Sequence, residues 1–344
     1  MTEVLIREMH TRAKEGFLQE EINTIYLGGG TPSLLSENEL SSLLDAIQLY
    51  WTVNPAAEIT LEANPEDTDL ERCIQWKRAG INRISLGVQS LFEDELRWMN
   101  RVHDAATSRN AIDTIKQTGF KKFSVDFIFG SPYMTRERWE STLDWINRNE
   151  LTHISCYGLT IEPKTPLANS IKTKQTAPPD QDQLAEQFEM LMSFAENNDY
   201  DHYEISNLAK KGHRSLHNSN YWKGIPYLGI GPSAHSYDGK SRRWNIADNR
   251  KYIQHIQEGT PSFEEEVLTP KQKLNEQIMI RLRCSEGCNM DDIEKLSGST
   301  AQNELLARAE KFICSADMIQ ENNFLKLTRK GRLFADRITA ELFF

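Results

Sequence analysis

Five apolar stretches recur between residues 25 and 160, each closed by glycine or a polar residue and each followed by a run of helical period. They span 25–27, 58–65, 83–90, 122–132 and 153–160. Helices are expected over the amphipathic run Leu40, Leu43, Leu44 and Ile47, then near 69–79, 92–100, 104–118 and 135–149. A chain that alternates in this way forms an α/β fold with a parallel sheet or open barrel. Right-handed crossovers put the C-terminal ends of its strands on one rim.

The first of these units carries the motif Ile25-Tyr26-Leu27-Gly28-Gly29-Gly30-Thr31-Pro32. Three successive residues without Cβ let a ligand approach the backbone and leave N–H and C=O groups free to bind it. Pro32 ends the strand, and Ser36 with Glu39 three positions on makes a capping box before the helix. The spacing is not that of a dinucleotide fingerprint, and no Gly-Lys-Ser/Thr follows as in a P-loop. Taken alone, the triplet reads more readily as an ordinary tight strand-to-helix turn than as a ligand cradle. The later strand ends argue for a ligand site, because Gly30 and Thr31, Glu62, Gln89 and Asp126 would face one concavity. A lone buried acid is more often structural, but polar groups on four strand ends are harder to explain that way.

Composition narrows the function classes. The chain has 344 residues and a formal net charge of −10, with its Lys and Arg scattered rather than banked, which argues against a nucleic-acid partner. No apolar run reaches the ~18 residues of a membrane helix, and the N-terminus lacks a signal peptide's order, so the cytoplasm is the expected compartment. Cys73, Cys156, Cys284, Cys288 and Cys314 form an odd, dispersed set unlike a disulfide framework. Cys284 and Cys288 alone are close, and two thiolates fall short of a metal site. No metal ligand and no catalytic residue is assigned.

The opening helix, expected over 3–18 with Val4, Leu5, Met9 and Ala13 on one side, would normally follow a strand, so the chain begins in mid-pattern. Downstream, 163–180 reads as a polar surface loop with four prolines, Pro163, Pro166, Pro178 and Pro179, before a helix over 180–198. A second region opens with the strand-like 202–207, followed by His217-Asn218-x-x-Tyr221-Trp222 and Gly229-Ile230-Gly231-Pro232-Ser233-Ala234-His235. Glycines and rings at this density suit a functional loop. His217 could ligate iron or carry a proton, and equally could be an ordinary hydrogen-bonded histidine. The last region has helices near 271–283, 290–296 and 302–314, a short strand at 324–327 and a final helix from Thr328. That order resembles a winged helix, here read as a packing or lid module because acids balance its basic residues. The expected domains are 1–200, 201–265 and 266–344.

Together these segments resemble the radical S-adenosylmethionine family of oxygen-independent coproporphyrinogen III oxidases, and most closely its shorter, heme-chaperone branch. The resemblance rests on Gly28-Gly29-Gly30-Thr31-Pro32, Glu62-Ala63-Asn64-Pro65, Gly87-Val88-Gln89-Ser90, Asp126 to Pro132 and Gly229 to Ala234, and it covers almost the whole chain. His217-Asn218-x-x-Tyr221-Trp222 and the ending Leu327-Thr328-Arg329-Lys330-Gly331 look like the chaperone branch specifically.

The resemblance implies a partial (β/α)6 barrel lacking its first strand, with a C-terminal, mainly helical, winged-helix-like domain. It implies that the site binds S-adenosylmethionine: Gly29, Gly30 and Thr31 hold the methionine end, Glu62, Gln89, Arg101 and Asp126 make further contacts, and Gly158 and His235 touch the adenosine part. A carboxylate suits ribose hydroxyls or an ammonium, and Arg101 suits a carboxylate. His217, Asn218, Tyr221 and Trp222 are the implied heme contacts. The implied function is a heme chaperone that passes heme to an acceptor protein, which can be membrane-associated. The alternatives are a coproporphyrinogen III oxidase using a 5′-deoxyadenosyl radical, or a cluster-free barrel that binds a nucleoside. The family carries C-x3-C-x2-C after its first strand, three thiolates for a [4Fe–4S] cluster. This sequence has no such triplet, and Asp291 stands where Cys284 and Cys288 would need a third. Radical chemistry is therefore not expected of the chain as given, and a truncated or wrongly started reading frame is the expectation.

Overall fold

The computed structural model describes residues 1–16, 20–163 and 165–344. The first helix, α1 (Thr2–Glu15), stops at Gly16, whose φ of 66° is the left-handed cap that glycine adopts without strain. The last expected positions of this helix, 17 and 18, lie outside the described residues. Next come β1 (Ile22–Leu27) and α2 (Glu37–Tyr50). The capping box forms as read: Glu39 N donates to Ser36 Oγ at 3.3 Å, and Ser36 N donates to Glu39 Oε2 at 3.0 Å. Leu43 and Ala46 of α2 close a small core with Met9 of α1, flanked by Leu5, Leu27 and Ile47.

The alternation continues through β2 (Val53–Ala63), α3 (Leu70–Ala79), β3 (Arg83–Gln89), α4 (Glu93–Trp98), α5 (Ala105–Gln117), β4 (Lys122–Phe129), α6 (Arg136–Arg148) and β5 (His153–Gly158). These are the strands and helices that the hydrophobic periods predict. Leu86, Val88, Val125, Phe127 and Ile154 are buried to 0 % exposure, which is why their stretches read as nearly continuous apolar runs. The stretch 163–180 differs from its expected loop. It carries α7 (Pro166–Lys172), started by Thr165 Oγ1, which accepts from Ala168 N at 3.2 Å, with Pro166 at the first helical position where its missing N–H costs nothing. Then follow α8 (Gln181–Asn197) and β6 (Asn207–Ala209). The strand-like 202–207 contributes only its last residue to a strand.

Strand order in the main sheet follows the chain, from β1 to β6. The pairs β3–β4 and β4–β5 are parallel, whereas β6 lies antiparallel on β5, with His153 opposite Ala209. Beyond it come α9 (Leu216–Lys223), β7 (His235–Tyr237), β8 (Ser241–Asn245), α10 (Asn249–Glu258) and β9 (Phe263–Val267), with β7, β8 and β9 forming an antiparallel sheet. The last region comprises α11 (Pro270–Leu282), β10 (Cys288–Asn289), α12 (Met290–Cys314), β11 (Met318–Glu321), β12 (Phe324–Leu327), α13 (Arg329–Arg332) and α14 (Ala335–Leu342). Within α12, Gly298 has φ 84° and ψ 166°, so the span is two helices meeting at a kink, at the break the sequence predicts. A sheet ordered β10–β12–β11 completes the helix-plus-ribbon pattern expected there.

The chain divides into two compact units, one of Met1–Thr60, Gln75–Asn82 and Ser215–Phe344, the other of Leu61–Ile74 and Arg83–Arg214. Among the described residues no helix is long and apolar enough to cross a membrane.

Candidate functional site

In the second unit, parallel register sets Asp126 opposite Ser155 on β5, and Ser85 on β3 opposite Ser124. Ser85 Oγ donates weakly to Asp126 Oδ2 at 3.4 Å, while Oδ1 is sealed from solvent and has no hydrogen-bond partner. Burial pushes the Asp126 carboxyl up to about 6, with the nearby Glu62 charge raising it further. A buried acceptor left open in this way fits a donor brought by a ligand. Arg101 feels the Asp126 charge as well: burial lowers its pKa, and Glu66 and Asp126 offset part of that.

Gln89 ends β3 at a register shift and takes φ 70°, a conformation uncommon for a residue with a side chain. A Cβ at Gly87 would lie 2.9 Å from Gln89 Nε2, so glycine leaves room for that amide. Glu62, Gln89, Arg101, Asp126 and Gly158 all belong to this unit. His103 fixes the turn between α4 and α5, with Nδ1 2.9 Å from Glu66 Oε2 and Nε2 3.1 Å from the Val88 carbonyl.

Sequence reasoning missed Glu95. Completely buried on α4, it accepts the Ser90 hydroxyl at 2.5 Å and the Ser131 hydroxyl through its other oxygen, holding the turns after β3 and β4. Burial raises its pKa, and the two serine hydroxyls partly counter that.

The remaining assigned residues, Gly29, Gly30, Thr31 and His235, belong to the first unit. No heavy atom beyond the adjoining residues lies within 4 Å of a Cβ built at Gly29 or Gly30, so there is open space on that side of both residues. His235 begins β7 and is exposed. Its carbonyl oxygen would lie 2.1 Å from a Cβ at Gly229, which makes that glycine obligatory. The loop it belongs to is fastened to α1. Glu8 Oε2 accepts Gly231 N at 2.8 Å and Tyr252 Oη at 2.5 Å, and Glu8 Oε1 accepts Asn245 Nδ2 at 2.7 Å. Arg12, also buried, neutralises Glu8 at 3.4 Å.

The His217 motif forms α9 in the first unit. Glu58 Oε1 on β2 accepts the Ser215 hydroxyl at 3.2 Å and the His217 N–H at 3.0 Å, while Ser215 Oγ caps the helix through Asn218 N at 3.2 Å. The His217 ring stacks on Tyr26 at 4.8 Å and 21°. Its Nδ1 lies 3.0 Å from Thr24 Oγ1 and its Nε2 3.1 Å from Tyr221 Oη. Burial pushes its pKa down to about 4, so the ring is a neutral imidazole at ordinary pH. Tyr221 in turn meets Tyr227 edge-on at 4.7 Å. Trp222 faces a different neighbour, the Arg283 guanidinium at 5.6 Å, and its Nε1 is buried without a partner. The motif therefore brings His217 and Tyr221 together, while Asn218 serves the helix start through its backbone.

All five cysteines are free, and among the described residues no three His, Cys, Asp or Glu side chains come together as a metal site.

A model of the radical SAM superfamily matches residues 2–146, and one of the HemN C-terminal domain matches 268–334. The chain is 32 % identical over 333 residues to the heme chaperone HemW of Bacillus subtilis, covering 96 % of this chain and 87 % of that protein. It is 34 % identical to the heme chaperone HemW of Haemophilus influenzae, covering 96 % and 85 % of the two chains. The solved structure of coproporphyrinogen III oxidase HemN from Escherichia coli, a radical SAM enzyme, superposes with a TM-score of 0.84 at 21 % identity. That match spans 99 % of this chain and 82 % of that one, and carries the fold.

Proposed function

The chain belongs to the heme chaperone HemW family of the radical SAM superfamily, and from that premise we propose that it binds heme through His217, holds S-adenosylmethionine, and delivers heme to an acceptor protein. The observation that carries the heme reading is the His217 ring, stacked on Tyr26 with Nε2 directed at a single hydroxyl. Imidazole Nε2 is the usual protein ligand of heme iron, and only a neutral ring carries the lone pair that iron takes. The relatives at 32 and 34 % identity carry the chaperone name, whereas the likeness to the oxidase is one of fold, so the chaperone reading is preferred.

S-adenosylmethionine, when bound, brings a sulfonium cation and a nucleoside. Asp126 and Glu62 are assigned to its hydroxyl or ammonium donors, Gln89 to its polar edge, Arg101 to its carboxylate, and Gly158 to the close approach of its adenosine. The open Oδ1 of Asp126 supports this. The assignment of Gly29, Gly30, Thr31 and His235 to the same cofactor rests on the motif resemblance. Five free cysteines favour the cytoplasm as the compartment.

The test uses the purified chain. Stoichiometric hemin should give a saturating Soret shift, and calorimetry should detect S-adenosylmethionine binding that is lost in Asp126→Ala. Hemin spectra that stay those of the free compound would overturn the heme reading, and unchanged cofactor affinity in Asp126→Ala would remove Asp126.

A further inference from the structure

His217 has no ring nitrogen left open. Thr24 Oγ1 occupies Nδ1 at 3.0 Å and Tyr221 Oη occupies Nε2 at 3.1 Å. The two partners differ in how they are held. Thr24 lies within β1, two residues before Tyr26, on which the imidazole stacks, so strand and ring are aligned by the same element. Tyr221 lies one turn further along α9, and its side chain is 41 % exposed. One partner is built into a sheet; the other is a partly exposed helix side chain that meets the Tyr227 ring edge-on at 4.7 Å.

We propose that Thr24 is a positioning residue that fixes the His217 tautomer for iron, and that Tyr221 is a displaceable cap over the iron-binding nitrogen. This rests on the reading of His217 as the heme ligand. Of the two neutral tautomers, the one with hydrogen on Nδ1 lets His217 donate to Thr24 Oγ1 and leaves the Nε2 lone pair to accept the Tyr221 hydroxyl. Heme iron takes that same lone pair. Coordination replaces one hydrogen bond with one metal–nitrogen bond; the Tyr221 proton stays on its oxygen and turns to water, and no electron moves.

The chemistry of the second partner suits temporary holding. Ligating histidines commonly give their other N–H to a carboxylate or carbonyl, which raises their basicity and tightens the metal. A threonine hydroxyl is a weaker acceptor, so the ring is oriented without being made strongly basic. The Glu58 carboxylate accepts the His217 backbone N–H at 3.0 Å. A cap that returns to Nε2 as heme leaves keeps the empty protein's imidazole satisfied and competes with rebinding.

Stopped-flow and equilibrium titration of hemin against the full chain separate these roles, with Tyr221→Phe, Thr24→Val, Thr24→Ser and His217→Ala compared. Tyr221→Phe keeps the ring and deletes the competing hydroxyl, so hemin should bind faster and ~5-fold tighter, the equivalent of one neutral hydrogen bond. Thr24→Val should weaken binding by roughly 10- to 100-fold with a changed Soret band, and Thr24→Ser should restore both. Weaker or slower binding in Tyr221→Phe would overturn the cap, and wild-type affinity in Thr24→Val would overturn the positioning role, each leaving the ligand reading intact. Wild-type binding in His217→Ala would instead remove the ligand reading itself.

Discussion

The Ser90 hydroxyl donates to Glu95 Oε2 at 2.5 Å, tying the residue after Gln89 to a buried acid on α4. The same carboxyl takes the Ser131 hydroxyl just beyond β4, so one side chain sets the turns that follow two strands of the candidate cofactor site. Replacing Glu95 with alanine leaves two buried hydroxyls without their acceptor. Such unpaired groups cost about 1–3 kcal/mol each, so urea unfolding should show a loss of ~2–6 kcal/mol. Glu95→Gln keeps one acceptor oxygen and should lose about half as much. Equal stability of Glu95→Ala and wild type would remove the tie.

Asp126 gives a pH dependence with a defined sign. Its carboxyl is raised from 3.8 to about 6, so the folded chain holds that proton more tightly than the unfolded chain does. The stabilising contribution is full below the unfolded value near 4 and is lost as pH rises through about 6. Asp126→Asn lacks this term. Relative to wild type, the variant should gain stability from pH 4 to pH 7, by on the order of 1–3 kcal/mol, in melts followed by circular dichroism. Cofactor affinity in the wild type should rise over the same interval as Asp126 becomes an ionised acceptor. Parallel pH profiles of the two proteins would refute the burial argument.

Two glycines should respond oppositely to alanine. At Gly229 the new methyl would lie 2.1 Å from the His235 carbonyl oxygen, a backbone atom that cannot turn aside, so Gly229→Ala should cost about 2–3 kcal/mol or more. At Gly30 it meets nothing within 4 Å, so Gly30→Ala should unfold within about 0.5 kcal/mol of wild type. If the backbone at Gly30 touches S-adenosylmethionine, the same substitution should weaken its binding in calorimetry.

Glu8 and Arg12 make a buried pair that also anchors Gly231. Glu8→Ala leaves the Arg12 guanidinium with Glu15 at 3.2 Å but takes the acceptor from Gly231 N and the Tyr252 hydroxyl, and should destabilise the chain by about 2 kcal/mol or more in chemical denaturation. A loss below about 1 kcal/mol would mean that the loop is held elsewhere.

The sequence declares what local periodicity can declare. The strands β1 to β5 and their helices are legible because buried apolar runs and amphipathic turns follow the chain itself, and Ser36 with Glu39 marks the start of α2 before any tertiary contact is known. What stayed hidden depends on partners distant in sequence. Glu95 meets Ser131 across 36 positions and Glu8 meets Asn245 across 237, so each reads as an ordinary helical acid. Thr24 is one strand residue among several until α9 returns to meet it across 193 positions. The antiparallel β7–β8–β9 sheet was missed for a related reason. Glu264 and Glu265 on β9 look like a solvated charge run, yet they accept from Trp244 and Arg243 on β8 at 3.1 and 3.0 Å. Four prolines likewise suggested a loop over 163–180, where Pro166 in fact starts α7.

The most direct measurement is an optical titration of hemin into the wild-type chain and into His217→Ala, at matched concentration and with matched far-ultraviolet circular dichroism. The account predicts a saturating Soret shift in the wild type and a shift reduced at least ~10-fold in affinity in the variant, as loss of an iron ligand requires. Superimposable titrations of two equally folded proteins would contradict it.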